Sequence, residues 1–542
     1  MPPRQTPAAA PGAETRAERL NTRAAGVVGL AVLCSRVLGL AREQIFAALF
    51  GGGRVMDAFT IAFRIPNLLR DLFAEGALST AFVTVFSKTA ALSDAAAAWR
   101  LANKIATLTA VVLSLLSIVG ILSAPWLVAA LAPGFDPAKA ALTVALTRVM
   151  YPFILLVSLA ALVMGMLNAR NVFGVPAMAS SFFNLGSIIA GVLLGYWLDP
   201  HFGTRAIFGL AIGTLVGGAL QLCVQLPALA REGYRYRADF HWRDPGVRSV
   251  LALMGPSVIA ASTTQVNVLV NSVFASELGD GPTFWLTVAF RLMQLPLGIF
   301  GVALGTVALP LLARMAATGN LEAFRSELSR GMRLAFLMTI PASVGLIVLA
   351  EPIISVLYQH GRFGAHETAE SAGALRFYAL GLCGYAALKI LVNAFYAIDR
   401  RKTPMVVSFI AVALNLVLNI IFTRALGWGH RGLAFSTACV ASSNFLILYF
   451  LMRAHLGALE SRAMARLLGK LAIACSVLFV LAWGGGQWLL SDWATQAFWP
   501  KCASLLLVIG AAGAGFVACA HALGIAEVQE ILAAVRRRLR RA

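Results

Sequence analysis

Charge is scarce in this chain: Asp, Glu, Lys and Arg make up 13% of its 542 residues, about half the share of an ordinary soluble domain. Acidic residues are the scarcer sign, 24 against 44 basic ones, giving a formal net charge of +20. The seven cysteines (Cys34, Cys223, Cys383, Cys439, Cys475, Cys502, Cys519) all fall in apolar segments without metal-ligand spacing, so no disulfide framework or metal centre is implied. The seven histidines sit in loops or near helix ends, unpaired with Cys or carboxylate at ligand spacing. Gly51-Gly52-Gly53 and Gly484-Gly485-Gly486 lack the Lys-Ser or Lys-Thr that completes a phosphate-cradling loop, so no nucleotide-hydrolysing domain is expected. No catalytic constellation can be assembled, and neither a cofactor nor a metal is expected.

What the chain does have is apolar length, with 59% hydrophobic residues and a mean hydropathy of +0.80. Runs long enough to cross a bilayer, about 20 residues each, fall at roughly 24–50, 57–86, 104–132, 140–168, 174–198, 206–230, 248–276, 283–313, 333–358, 370–398, 404–426, 431–453, 467–490 and 498–524. The expected fold is therefore an all-α polytopic membrane protein of about 14 transmembrane helices. Trp126, Trp197, Trp285, Trp428, Trp488, Trp493 and Trp499 lie near the expected helix ends, where aromatic belts form. Residues 1–23 are polar, rich in Pro and Arg and without an apolar core; they read as a disordered cytoplasmic tail and not as a cleavable signal.

The basic residues follow the topology. With the N-terminus inside, inside segments carry about 29 Lys and Arg and outside loops about 7, the asymmetry that the positive-inside rule demands. Both termini are then cytoplasmic, and nucleic acid is not an expected partner because the charge is scattered through short loops. The densest clusters are 231–248, 314–333, 400–402 and the tail 536–541, which reads first as a topology determinant only and second as an amphipathic helix on anionic lipid.

Eight basic residues lie within expected spans: Arg36, Arg42, Arg64, Arg70, Arg148, Arg291, Arg376 and Lys389. They expose an internal repeat. Ala62-Phe63-Arg64 recurs as Ala289-Phe290-Arg291, Arg148 as Arg376, Pro176 as Pro404 and Ser180 as Ser408, at a shift of about 228; Gly209-Leu210-Ala211 recurs as Gly432-Leu433-Ala434. The reading is two pseudo-symmetric six-helix lobes plus two extra C-terminal helices. The expected boundaries are an N-lobe at 24–230, a basic cytoplasmic linker at 231–247, a C-lobe at 248–455, helices 13 and 14 at 456–525, and a basic tail helix at 526–542.

A charge at the middle of a lipid-spanning helix costs about 2.5 to 3.5 kcal/mol on insertion scales. Several in one hairpin, between 24 and 86, imply a polar cavity. Guanidinium is a planar fork of donors matched to phosphate oxygens, so Arg36, Arg42, Arg70 and Arg291 are the candidate ligands of an anion such as a diphosphate. The competing reading is that these arginines neutralise Glu43, Asp71 and Glu75. Arg148, Arg376 and Lys389 lie outside the cluster and read as interface or paired residues. Pro66, Pro296 and Pro310, with Gly298, Gly301 and Gly305, would loosen helices 2 and 8.

Ser35-Arg36-Val37-Leu38-Gly39-Leu40-Ala41-Arg42-Glu43, Asp57-Ala58-Phe59, Pro66-Asn67-Leu68-Leu69-Arg70 and Phe73-Ala74-Glu75-Gly76-Ala77 resemble the MurJ (MviN) lipid II flippase family of the multidrug/oligosaccharidyl-lipid/polysaccharide exporter superfamily. Arg291-Leu292-Met293-Gln294-Leu295-Pro296, with residues 298–306, is similar to that family's helix 8 signature. The resemblance implies alternating access in a bacterial cytoplasmic membrane, and an undecaprenyl-diphosphate-linked peptidoglycan precursor, lipid II, as substrate. Membrane lipids, and possible cell-wall synthesis proteins, are the implied partners. It maps Arg36, Arg42, Arg70 and Arg291 onto the substrate-binding arginines, Asp57, Arg64, Asn67 and Glu75 onto supporting cavity positions, and helices 13 and 14 onto a groove for the lipid tail. Two departures stand out. Phe290 replaces the Asp that many members carry before the helix 8 arginine. Asn271, Asn415, Asn419 and Thr437 stand where sodium-binding members have a site that includes carboxylate, which weighs against sodium coupling. The alternatives are an exporter of another polyprenyl-linked glycan or of drugs, for whose cations a basic cavity is unsuited, and a membrane scaffold for cell-wall enzymes.

Overall fold

The structure is a computed structural model that describes the backbone of residues 11–71, 78–298, 311–457, 459–490 and 497–539. The side chains of 11–25, 27, 256, 257, 259–261, 263, 264, 534, 535, 538 and 539 are outside the description. Glu75, Trp493, Gly301, Gly305 and Pro310 therefore lie outside the described residues. Among those described, the regular structure is helical throughout.

Among the described residues, nine helical segments are long and apolar enough to span a bilayer: Ala95–Leu131, Pro137–Ala169, Gly174–Leu198, Ile207–Arg231, Leu321–Val348, Lys402–Ala425, Gly429–Leu456, Ser461–Leu489 and Phe498–Ala522. A tenth is the pair Ala365–Leu380 and Leu382–Ala397, bent by 42°. These ten correspond to ten of the fourteen apolar runs. The other four runs, 24–50, 57–86, 248–276 and 283–313, each contain residues whose side chains are not described, and the first, second and fourth also carry the intramembrane arginines.

Contacts divide the chain into two compact units. The first comprises Met1–Phe46, Ala58–Ala129 and Pro137–Ser262; the second comprises Ala47–Asp57, Ala130–Asp136 and Thr263–Ala542. The first helix, α1 (Pro11–Phe50), begins earlier than the run at 24 and takes in residues read as tail. Its first residue is a proline, which at a helix start forfeits no hydrogen bond. Then follow α2 (Arg54–Arg70), α3 (Ser79–Leu92), α4 (Ala95–Leu131), α5 (Pro137–Met150), α6 (Phe153–Ala169), α7 (Gly174–Leu198), α8 (Ile207–Cys223) and α9 (Leu226–Arg231). The chain passes from one unit to the other within α10 (Pro245–Ser276). The second unit continues with α11 (Pro282–Pro296), α12 (Leu321–Val348), α13 (Ala350–Tyr358), α14 (Ala365–Leu380), α15 (Leu382–Ala397) and α16 (Lys402–Asn419), which ends in a π-helical turn, Ile420–Ala425. It closes with α17 (Gly429–Leu456), α18 (Ser461–Leu489), α19 (Phe498–Ala522) and α20 (Ala526–Leu539). The helix starts at Pro137, Phe153 and Gly174 are echoed at Ala365, Leu382 and Lys402, at the spacing of the sequence repeat.

In lipid, apolar burial does not drive helices together, so close van der Waals approach must. Between α7 and α8 it comes from glycine. Gly209, Gly213 and Gly217 recur every four residues on α8, and a Cβ on them would lie 2.2 Å from Gly195 N, 2.5 Å from Gly191 N and 2.5 Å from Phe183 O. The backbones touch where any side chain would part them. The linker expected at 231–247 is strapped to α4: Lys104 Nζ donates to Asp244 Oδ2 at 2.7 Å, Arg237 N to Asn103 Oδ1 at 3.3 Å and Asp239 N to Thr107 Oγ1 at 3.2 Å. Tyr234 continues an aromatic row through Trp99 and Phe86.

Trp126, Trp197, Trp428, Trp488 and Trp499 are exposed, in keeping with interfacial positions. Trp285 is not: it is buried between His366 and His430, so the aromatic-belt reading fails there. Two histidines do meet carboxylates: His241 Nδ1 lies 2.7 Å from Asp239, two residues earlier, and long-range packing brings His430 Nε2 within 3.3 Å of Glu370.

Candidate functional site: the basic residues of the spans and the α1–α2 tip

The first unit holds four of the expected site arginines and Asn67. Arg36 is exposed and Arg42 half-buried, both on α1; Arg64, Asn67 and Arg70 are half-buried on α2. The guanidinium of Arg42 lies over the ring of Phe183, with its carbon 5.0 Å from the centroid. That ring is fixed by an aromatic row: Phe183 packs on Phe153, Phe153 on Phe63, Phe63 on Phe59 and Phe59 on Phe46, at centroid separations of 5.5, 5.6, 6.3 and 6.1 Å. A cation over an aromatic face is held electrostatically by the ring quadrupole. Next to Phe183, Asn184 Nδ2 donates at 3.1 Å to the carbonyl of Ser35, the residue before Arg36. α7 thus positions the arginine-bearing stretch of α1. Sequence reasoning missed Phe183 and Asn184 because neither carries charge and both are remote in sequence; their proximity in the Ser181-Phe182-Phe183-Asn184 stretch gave no period to read.

Arg70 is paired. Its Nη2 and Nε donate to Asp71 Oδ1 at 2.9 and 3.2 Å, in a setting where both side chains keep partial solvent access. Adjacent residues on a regular helix do not face each other. The pair forms because α2 ends at Arg70 and the backbone departs from α geometry at Asp71. The neutralisation reading is therefore met at Arg70, by Asp71. Among the other in-span cations, Arg376 Nη2 meets Glu351 at 3.3 Å and Arg148 Nε donates to the Ile121 carbonyl at 3.3 Å, as expected for residues outside the cluster.

The second unit holds Arg291, half-buried on α11 between buried Ala289 and Leu292. Phe290, in the place of an acid, packs edge-on against Tyr378 at 5.3 Å. This position is an apolar packing contact with α14 and supplies no counter-charge. The start of α11 is set by Asp57, whose carboxylate is 0% exposed. Asp57 Oδ2 accepts from Gly281 N at 2.6 Å and Oδ1 from Phe284 N at 2.9 Å. Gly281 takes φ +108°, which a side chain would resist. A buried carboxylate facing the amide end of a helix is a favourable use of charge. Asp57 thus acts on the helix that carries Arg291.

Around Asp57, the whole α1–α2 tip is seated in the second unit. Arg362 N donates to Ala48 O at 2.8 Å, and a Cβ on Gly52 would lie 2.8 Å from Glu367 Cγ, 3.0 Å from Phe363 and 3.1 Å from Trp285. Arg54 is bonded to Asp136 and lies 3.7 Å from Asp280. The Asp136 hydrogen bond, reinforced by both acidic charges, raises the Arg54 pKa above its ordinary value.

The four residues in cation-site positions do converge. Asn419 Nδ2 donates to Asn271 Oδ1 at 2.8 Å and to Asn415 Oδ1 at 3.3 Å, and Asn271 Nδ2 donates to Thr437 Oγ1 at 3.1 Å. The oxygens of Asn271 and Asn415 accept from Asn419, while Asn419 Oδ1 is buried without a hydrogen-bond partner, and no carboxylate is among the four. No group of three or more His, Cys, Asp or Glu able to hold a metal ion occurs among the described residues.

Apolar helices long enough to cross a bilayer, arranged in two units with helix starts repeated about 228 residues apart, define a polytopic membrane protein. Comparison with known proteins gives the family. The model of the family described as "Lipid II flippase MurJ" matches residues 46–504, and the chain belongs to that family. It is 38% identical to the "Lipid II flippase MurJ" of Burkholderia cenocepacia over 78% of this chain and 81% of that protein. It is 33% identical to the "Probable lipid II flippase MurJ" of Vibrio cholerae over 92% of this chain and 95% of the relative. Among solved structures, "Lipid II flippase MurJ, inward closed conformation" superposes with a TM-score of 0.72 at 26% identity, covering 90% of this chain and 98% of that one. An inward-facing multidrug resistance MATE transporter of the MOP superfamily matches at a TM-score of 0.60 and 16% identity, covering 80% of this chain and 95% of the other, a likeness of fold alone.

Proposed function

We propose that this protein moves lipid II, an undecaprenyl-diphosphate-linked peptidoglycan precursor, from the cytoplasmic to the periplasmic leaflet of a bacterial inner membrane, with both termini cytoplasmic. The observation that carries the reading is membership of the flippase family, together with guanidinium groups held within the membrane spans. Arg36, Arg42, Arg70 and Arg291 receive the diphosphate by charge-assisted hydrogen bonds, with Arg64, Asn67, Asp57 and Glu75 in support and the prenyl chain left in apolar surroundings. The cycle is alternating access between the two leaflets, with no covalent change to the substrate. The Phe183 ring holds the Arg42 guanidinium by its face, so a diphosphate would meet a cation already oriented by packing. Arg70 is shared with Asp71, so the incoming phosphate exchanges with a carboxylate and does not meet a bare charge.

The amide cluster at Asn271, Asn415, Asn419 and Thr437 supports a drive other than cation binding at that point. Membrane potential acting on in-span charge supplies about 2.3 kcal/mol per charge per 100 mV. Depletion of the protein tests the reading: lipid II should accumulate on the inner leaflet, and a copy carrying Arg42→Ala should fail to restore export at normal protein levels. Full rescue by that variant would remove Arg42 from the binding role.

A further inference from the structure

The C-terminal helix offers a binding groove that transport does not use. Span α19 ends at Ala522, and the chain reverses through Gly524, at φ +62°, into α20. The two carboxylates of α20 are both engaged with protein. Arg333 Nε donates to Glu527 Oε1 at 2.8 Å, and Arg330 Nη2 donates to Glu530 Oε2 at 2.8 Å. Arg333 also reaches Glu460 at the start of α18, so α12, α18 and α20 are tied at one point.

A different face of α20 carries Gln529, Leu532, Ala533, Arg536 and Arg537, spaced by three and four residues so that they share one side of the helix. With His521 from the last turn of α19, these residues line a groove of 630 Å³. Lys470 of α18 donates to the Gly524 carbonyl at 3.1 Å, placing one more cation at the turn that opens it. Two guanidinium groups, an imidazole and an amide thus converge with no carboxylate among the lining residues. Like charges brought side by side repel unless an anion joins them, and guanidinium pairs match phosphate oxygens. Because α19 is a membrane span, its end lies at the bilayer surface. Leu532 and Ala533 give the groove an apolar floor.

We propose that this groove binds the phosphate headgroup of an anionic membrane lipid, with Arg536 and Arg537 on the phosphate and Leu532 and Ala533 against the glycerol and upper acyl carbons. The bound lipid holds α20 to the membrane surface while Glu527 and Glu530 hold it to the protein.

The test uses full-length protein in phosphatidylcholine nanodiscs, titrated with phosphatidylglycerol and read by native mass spectrometry. Arg536→Gln with Arg537→Gln should weaken lipid binding roughly thirtyfold, from the contribution of two surface cations. Arg235→Gln with Arg237→Gln removes two exposed charges from the linker and should leave it within about twofold. Retained binding in the tail variant would overturn the proposal, as would an equal loss in the linker variant, which would indicate attraction to bulk charge. Inorganic phosphate or glycerol phosphate that displaces the lipid at equal concentration would overturn the lipid assignment, because the acyl floor would then contribute nothing.

Discussion

Replacing Asp57 with Asn tests the most constrained contact in the protein. The Asp57 carboxylate is fully buried and takes two backbone N–H groups, from Gly281 at 2.6 Å and Phe284 at 2.9 Å. An asparagine keeps one oxygen; its NH2 must face the other amide, donor against donor. The loss comprises one charge-assisted hydrogen bond and one buried N–H left unsatisfied, roughly 2 to 4 kcal/mol in total. Asp57→Ala strips both acceptors and leaves a void, so it should cost more. Denaturant unfolding in detergent, followed by tryptophan fluorescence with Trp285 packed just beyond the cap, reads the change. An Asp57→Asn protein within about 0.5 kcal/mol of wild type would show that the carboxylate does not hold the start of α11, and the argument linking Asp57 to Arg291 would fail with it.

Further consequences follow from the same geometry. Gly52→Val should unseat the α1–α2 tip, since its Cβ would lie 2.8 Å from Glu367 and 3.0 Å from Phe363; protease cleavage near residues 50–54 should increase, and unchanged cleavage would refute the close packing. Gly213→Leu should part α7 from α8, where a Cβ already meets Gly191 N at 2.5 Å, and reduce the amount of folded protein recovered in detergent; normal recovery would contradict a glycine-built interface. Arg42→Lys keeps the charge and loses the planar fork and its stacking on Phe183, so export should fall about as far as in Arg42→Ala if bidentate recognition decides, and full activity of the Lys variant would show that charge alone suffices. The Lys104 hydrogen bond and charge hold the Asp244 carboxyl below its ordinary value of 3.8. The strap on α4 is therefore fully stabilised above that ordinary value and loosens as pH falls through the lower, folded one; backbone protection factors at 232–244 should fall below about pH 4 in wild type and fall less in Asp244→Asn.

The membrane architecture was legible because lipid imposes a length and a polarity on every crossing, and both are local properties of sequence. The runs at 104–132, 174–198 and 498–524 needed no partner to be recognised. The spacing of Arg64 with Arg291 and of Arg148 with Arg376 exposed the repeat for the same reason: a rare charge in an apolar run is easy to follow. The partners of those charges were not legible. Phe183 beneath Arg42 and the Gly281 and Phe284 amides around Asp57 are set by packing between distant segments. Asp71 pairs with Arg70 where the backbone leaves α geometry, a local change that regular helical spacing does not show. Trp285 was misread from position alone, since a tryptophan near a helix end is interfacial only if no loop covers it, and here Gly52, His366 and His430 do.

The central claim, that in-span guanidinium groups carry a diphosphate-linked lipid across the membrane, is tested most directly by reconstitution. Purified protein in liposomes loaded with lipid II, and challenged from outside with an enzyme that consumes only the exposed leaflet, should render nearly all of the lipid accessible. Arg42→Ala, Arg70→Ala and Arg291→Ala proteins, incorporated to the same level, should leave the inner pool protected. Equal exposure of the inner pool by all three variants and by wild type would contradict the account.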